Sequence, residues 1–278
     1  MEKVWLKSYQ QEVPAEIDLN QYSSLGAMVE QSIAKFRERP AYINMGAQIT
    51  YGQLGKLTRD FAAYLQKVLK LAKGARIAVM MPNVLQYPIA ILGALRAGYV
   101  VVNVNPLYTP RELEHQLRDS GAEVIVILEN FAVTLEQVIA NTSVKQVVLA
   151  RLGDMLGFPK GAVVNFVVKY VKKMVPPANL PGAINFRAAL SKGAAEELTP
   201  VNVGHDDLAF LQYTGGTTGV AKGAMLLHRN ILANLAQAHA WIRPGVGGEN
   251  NLIVTALPLY HIFALTANCF TFLKIGAA

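Results

Sequence analysis

Apolar positions along the chain change period several times, and each change marks an element. Leu25, Met28, Val29, Ser32, Ile33 and Phe36 follow helical spacing that ends near Glu38-Arg39-Pro40. Ala41 to Asn44, Met45-Gly46 and Gln48 to Tyr51 read as a hairpin, and a second helix places Leu54, Leu57, Phe61, Tyr64, Leu65 and Val68 on one face. From Arg76 the pattern becomes strand then helix, repeatedly. Strands are expected at 77–81, 99–104, 124–128 and 146–150, with helices at 87–97, 110–120 and 131–140 between them. Thr109-Pro110-Arg111-Glu112 is a capping box with proline at the first helical position. These strands are continuously apolar, as strands buried on both faces are. The pattern therefore predicts an α/β fold with predominantly parallel β-sheets covered by helices on both faces.

Residues 151–205 break this alternation and contain Pro159, Pro176, Pro177, Pro181 and Pro200. A second series then runs through 208–213, a helix at 229–241, a strand at 252–256 and a helix at 262–273. Three segments are expected: 1–150 as a first α/β subdomain with N-terminal helices, 151–205 as a proline-rich linker or insertion, and 206–278 as the start of a second α/β subdomain.

The 278 residues are 52% hydrophobic and 16% charged, a composition that argues against disorder. Basic residues outnumber acidic ones 26 to 19, which suits an anionic ligand or membrane surface. They are scattered without a recognition motif, so nucleic acid is a poor fit. A single cysteine, Cys269, excludes an internal disulfide and favours a reducing compartment. No apolar run reaches the roughly 18 residues of a spanning helix, and the first 25 residues lack the apolar core of a signal peptide.

The chemistry concentrates in Tyr213, Thr214, Gly215, Gly216, Thr217, Thr218, Gly219, Val220, Ala221, Lys222, Gly223 and Ala224. Glycines let backbone N–H groups fold around an anion, threonines add neutral donors or a metal ligand, and Lys222 adds a positive charge. That set suits a polyphosphate better than the alternative, a flexible hairpin tip. A Walker A loop is excluded because Lys222 follows Ala221 and precedes Gly223, and the dinucleotide fingerprint because Gly215 and Gly216 are adjacent. The short apolar run Ala224 to Leu227 predicts strand, loop, short strand, then helix.

This stretch resembles the signature loop of the adenylate-forming superfamily, Tyr-Thr-Ser-Gly-Thr-Thr-Gly-x-Pro-Lys-Gly. Gly215 stands in place of the serine and Ala221 in place of the proline. A second element, Pro258-Leu259-Tyr260-His261, opens the expected 262–273 helix just past a strand and resembles the superfamily's Pro-x-x-His. A lone histidine in such apolar surroundings is more often a core residue; the phosphate loop tips the balance toward a ligand role. Met81-Pro82-Asn83, Gln86-Tyr87-Pro88, residues 103–117 and Asp119-Ser120-Gly121 narrow the resemblance to bacterial long-chain fatty-acid–CoA ligases, over nearly the whole chain. One departure is Leu227, where relatives carry serine or threonine before His228-Arg229-Asn230.

The resemblance implies the N-terminal domain of an adenylate-forming enzyme, incomplete here, that uses ATP and Mg²⁺ to convert a fatty acid to acyl-AMP and then transfers the acyl group to coenzyme A. It implies phosphate binding by residues 213–224, with Lys222 and His261 as catalytic residues. Thr214 becomes a metal ligand, and His261, Ile262 and Leu265 become acyl-side contacts. The family's later elements are not found, so the chain is expected to be an N-terminal portion that is inactive alone. Two other readings stay open: an adenylating enzyme with a different acceptor, and a non-catalytic nucleotide- or membrane-binding module. The expected location is cytoplasmic, or peripheral on the inner membrane. Gly161 to Val175, read as a helix, places Val163, Val164, Val167, Val168, Val171 and Val175 on one face and Asn165, Lys169, Lys172 and Lys173 on the other. Such a helix can lie on an anionic bilayer, although an ordinary surface helix or a valine-rich strand fits the same residues.

Overall fold

The computed structural model describes residues 3–215, 220–243, 245–246 and 251–278. After a 3-10 turn at Val4–Ser8 come α1 (Leu25–Lys35), the antiparallel pair β1 (Pro40–Asn44) and β2 (Ala47–Thr50), and α2 (Tyr51–Ala63). The β1–β2 turn uses Met45 and Gly46, both at positive φ, which matches the right-handed twist of a two-residue hairpin.

The central sheet follows with β3 (Arg76–Met80), α3 (Gln86–Arg96), β4 (Val100–Asn103), α4 (Pro110–Ser120), β5 (Val124–Leu128), α5 (Ala132–Glu136) and β6 (Gln146–Ala150). Then come α6 (Lys160–Phe166), β7 (Ile184–Asn185), α7 (Phe186–Ala194), β8 (Leu208–Thr214), β9 (Lys222–Leu227) and α8 (His228–Ile242). The strand order is β7-β6-β5-β3-β4-β8-β9, parallel throughout except for the antiparallel β8–β9 pair.

Successive side chains of a strand point to opposite faces, so each buried strand feeds two cores. Ile77, Val79, Val101, Val124 and Val126 face one core, which α1, α2, α3 and α7 cover. Ala78, Met80, Val102, Ile125 and Ile127 face the other, closed by Leu113 and Leu117 of α4 and Leu135 of α5. The α3 and α4 crossovers leave from neighbouring strands and cover opposite faces. Their divergence opens a crevice outside the carboxyl ends of β3 and β4, where open α/β sheets accept ligands.

The structure departs from expectation at four places. Residues 252–256 form no strand; Ile253 N–H and Asn251 C=O bond to Ala278 at 2.9 Å each, but Leu252 and Val254 are 68% and 79% exposed. A strand depends on covered neighbours, and among the described residues this segment lacks them. The 131–140 helix is broken into 3-10 turns around α5. The 262–273 helix forms as α9 (Ile262–Ala264) and α10 (Thr271–Ile275) joined by a π-helical stretch, Leu265–Phe270, in which the Thr271 hydroxyl donates to Thr266 O at 2.8 Å.

The fourth departure concerns residues 151–205. Here β7 pairs with β6, and α7 crosses α2 so closely that a Cβ on Gly193 would lie 1.8 Å from Asp60 O. Within 161–175, Val164, Val167 and Val168 are half-buried, while Phe166, Tyr170, Val171 and Met174 are exposed with Lys169, Lys172 and Lys173. Asn165, expected on the outer face, accepts a hydrogen bond from Gly153 N–H at 2.7 Å. Strand β8 lies along β4 and extends the same sheet.

Candidate phosphate-binding and acyl-side site

Strands β8 and β9 form an antiparallel arm that carries the glycine-rich loop at its tip. The ladder pairs Gln212 with Ala224, Tyr213 with Gly223 and Thr214 with Lys222, so both ends of the loop are in register. Strand–loop–short strand–helix is therefore the observed order, and the arm is also a hairpin. Gly223 packs closely under Tyr213: a Cβ there would sit 3.0 Å from the ring. Thr214, Gly215, Lys222 and Ala224 are exposed, and Val220 is 65% exposed. Gly216, Thr217, Thr218 and Gly219 lie outside the described residues.

Tyr213 is buried and its hydroxyl donates to Asp119 Oδ2 at 2.5 Å. Burial, and then that carboxylate, push its phenol pKa upward, so it remains a neutral donor. One turn earlier on α4, His115 Nε2 lies 2.9 Å from Ala221 O, on the other end of the loop. Neither α4 residue stands out in the sequence as a site residue, because polar residues on an amphipathic helix read as its solvated face.

The histidine element docks into the crevice beyond β3 and β4. Asn83, three residues past β3, donates through Nδ2 to Thr255 O (3.0 Å) and Leu257 O (2.9 Å), and accepts from Leu259 N–H at 2.8 Å. The Tyr87 hydroxyl donates to Asn103 Oδ1 at 2.7 Å, with Leu259 O also within reach at 3.0 Å. Asn103 Nδ2 donates to Gln212 Oε1 (3.0 Å), and Gln212 Nε2 donates to Tyr260 O (3.1 Å). The residue beside Tyr213 thus bonds to the residue beside His261. Buried polar groups must be hydrogen-bonded, so this network specifies one seating for the segment. Asn103 and Gln212 are polar interruptions within apolar strands, and that interruption was the signal available in the sequence.

His261 itself is exposed and caps the 262–275 helix, its Nδ1 accepting from Phe263 N–H at 3.4 Å. Ile262 is half-buried against the core and Leu265 is fully buried in it. Of the three acyl-side expectations, only His261 presents its side chain to solvent. Phe263, 61% exposed beside it, was not foreseen.

Among the described residues no group of three or more His, Cys, Asp or Glu side chains could hold a metal, and no helix is long and apolar enough to cross a membrane. The family model described as AMP-binding enzyme matches residues 29–278. Over 276 residues the chain is 58% identical to a long-chain-fatty-acid–CoA ligase of Escherichia coli O6:H1, covering 99% of this chain and 49% of that protein. The ligase of the same name from Haemophilus influenzae is 54% identical, with 99% and 50% covered. The chain thus spans about half the length of the curated relatives it matches. In fold it is similar to an anthranilate CoA ligase bound to anthranoyl-AMP (17% identity, TM-score 0.75, covering 94% of this chain and 46% of that one). It is also similar to a long-chain-fatty-acid-CoA ligase from Archaeoglobus fulgidus (22% identity, TM-score 0.71, covering 97% and 48%).

Proposed function

Because the chain belongs to the AMP-binding enzyme family, we propose that it supplies the phosphate loop and part of the acyl pocket for ATP-dependent activation of a long-chain fatty acid. The supporting observation is the Gln212–Tyr260 bond, which brings the loop's own strand against the Pro258–His261 segment at the sheet's crevice. A phosphate-binding element and an exposed histidine 39 positions beyond Lys222 (261 − 222) then share one surface.

The chemistry needs such a pairing. A carboxylate is a poor acyl donor because oxide would have to leave. Attack of the carboxylate oxygen on the α-phosphorus expels pyrophosphate and forms acyl-AMP; attack of a thiol on its carbonyl then releases AMP and forms the thioester. The acid must be aligned with the α-phosphorus while charge collects on the departing phosphates. In this reading residues 213–224 hold the phosphates, Lys222 offsets their charge, and His261 borders the carboxylate, with Ile262 and Leu265 behind it. Mg²⁺ would arrive held mainly by the nucleotide, neutralising phosphate charge, with Thr214 as a hydroxyl at the loop's base. Coenzyme A is the proposed acceptor of the acyl group.

Lys222→Ala should weaken Mg-ATP binding about tenfold, as loss of a charge-assisted contact does, without shifting the melting temperature. Calorimetric titration measures it, and unchanged affinity would remove Lys222 from the site. In a ligase containing this half, pyrophosphate release tested against fatty acids of graded length should be greatest with long chains.

We further propose peripheral anionic-membrane contact through 161–175. Exposed Phe166, Tyr170, Val171 and Met174 supply apolar surface, and Lys169, Lys172 and Lys173 supply charge. Changing those three lysines together to glutamate should abolish co-sedimentation with phosphatidylglycerol vesicles. Retained binding would refute the contact.

A further inference from the structure

We propose that α4 is the positioning element of the phosphate loop, with His115 and Asp119 holding its two ends. The two side chains lie four residues apart, hence on one face of the helix. One meets Ala221 after the loop and the other meets Tyr213 before it. A carbonyl oxygen only accepts, so His115 Nε2 is the donor to Ala221. The His115 ring stands edge-on to the Tyr213 ring, 6.4 Å between centroids at 85°. Tyr213 in turn lies over Gly223 across the ladder. Both flanks of the loop are therefore tied to one element.

That element is well suited to the task. The capping box at its start has Thr109 N–H donating to Glu112 Oε2 at 2.8 Å, and Gly121 closes its end at positive φ. Leu113 and Leu117 anchor it in the second core. A loop that must approach a ligand gains precision when it departs from rigid elements with locked side chains. The inference rests on the reading that this loop holds the phosphates of ATP.

The test compares Mg-ATP with AMP on the 278-residue chain by calorimetry, alongside thermal melts. His115→Leu removes the donor and should lower Mg-ATP affinity about fivefold, the loss expected for one hydrogen bond, with AMP affinity and melting temperature unchanged. His115→Gln, whose amide nitrogen reaches about as far as Nε2, should restore Mg-ATP affinity to within about twofold of wild type. Tyr213→Phe, which releases the other end, should reproduce the His115→Leu loss. Wild-type Mg-ATP affinity in His115→Leu overturns the positioning role and leaves the phosphate reading intact. Equal losses for Mg-ATP and AMP, or no rescue by glutamine, reduce His115 to a structural residue and also overturn it. A wild-type chain that binds no Mg-ATP overturns the phosphate reading, and this inference with it.

Discussion

Strand β5 buries every one of its side chains, whereas β9 leaves Lys222, Ala224 and Met225 exposed, the last at 68%. The β3–β6 body is sandwiched by helices on both faces, and its order comes from non-directional apolar burial that many side chains share. Strand β8 shares in that burial through Ala209 and Phe210 and pairs with β4, but β9 and the loop end of β8 depend on one ladder and a few directional bonds: Tyr213 to Asp119, His115 to Ala221, and Gln212 to Tyr260. A body of the first kind tolerates little change of volume. An arm of the second kind can be re-aimed by removing one donor without unfolding anything, which suits the phosphate-binding role proposed for it.

Gly193→Ala should break the body. Helix propensity alone favours alanine by about 1 kcal/mol, yet the new Cβ would overlap Asp60 O at 1.8 Å. Packing should win, costing about 3 kcal/mol in denaturant titrations. Stability equal to or above wild type would show that α7 and α2 can separate freely.

His228 sits where the arm joins the body, and its Nδ1 accepts from Leu25 N–H at 3.1 Å in a buried site. Burial pulls its pKa from 6.5 down to about 4. Between those values the unfolded chain takes up a proton that the folded chain refuses. Stability present above pH 6.5 should therefore decline as pH falls to about 4, by on the order of 3 kcal/mol. His228→Asn should flatten that part of the stability–pH curve. An unchanged slope would mean other groups govern it.

The smallest effect is expected at the arm's base. Leu227 occupies the N-cap of α8, so only the reciprocal half of a capping box forms, Leu227 N–H donating to Asn230 Oδ1 at 2.9 Å. Backbone carbonyls of Asp207 and His205 meet the next two N–H groups. Leu227→Ser should add about 1 kcal/mol to thermal stability. No gain would indicate that those carbonyls already satisfy the helix start.

The body was legible because continuous apolar strands and periodic helices record burial within a few residues of each other. The 252–256 segment has the same apolar composition, but strand identity also depends on neighbours, and its backbone bonds to Ala278 and the Asn83 side chain rather than to a neighbouring strand. In the 161–175 segment helical spacing puts the valines on one face, yet Val163 and Val171 are exposed along with Phe166, Tyr170 and Met174, while Asn165 turns in to Gly153. Helical spacing sorts residues onto faces; which face meets the body depends on what the body offers.

The chain's own order of residues determined the buried parallel sheet, the sharp capping of α4, and the glycine- and threonine-rich make-up of 213–223 on which the phosphate proposal rests. Each follows from short-range periodicity or local chemistry. Only the tertiary structure decided that His261 lies beside the loop's strand, and that His115 and Asp119 hold the loop's ends. Those contacts join residues tens to more than a hundred positions apart, and sheet order, set by long-range pairing of β4 with β8, is what brings them together.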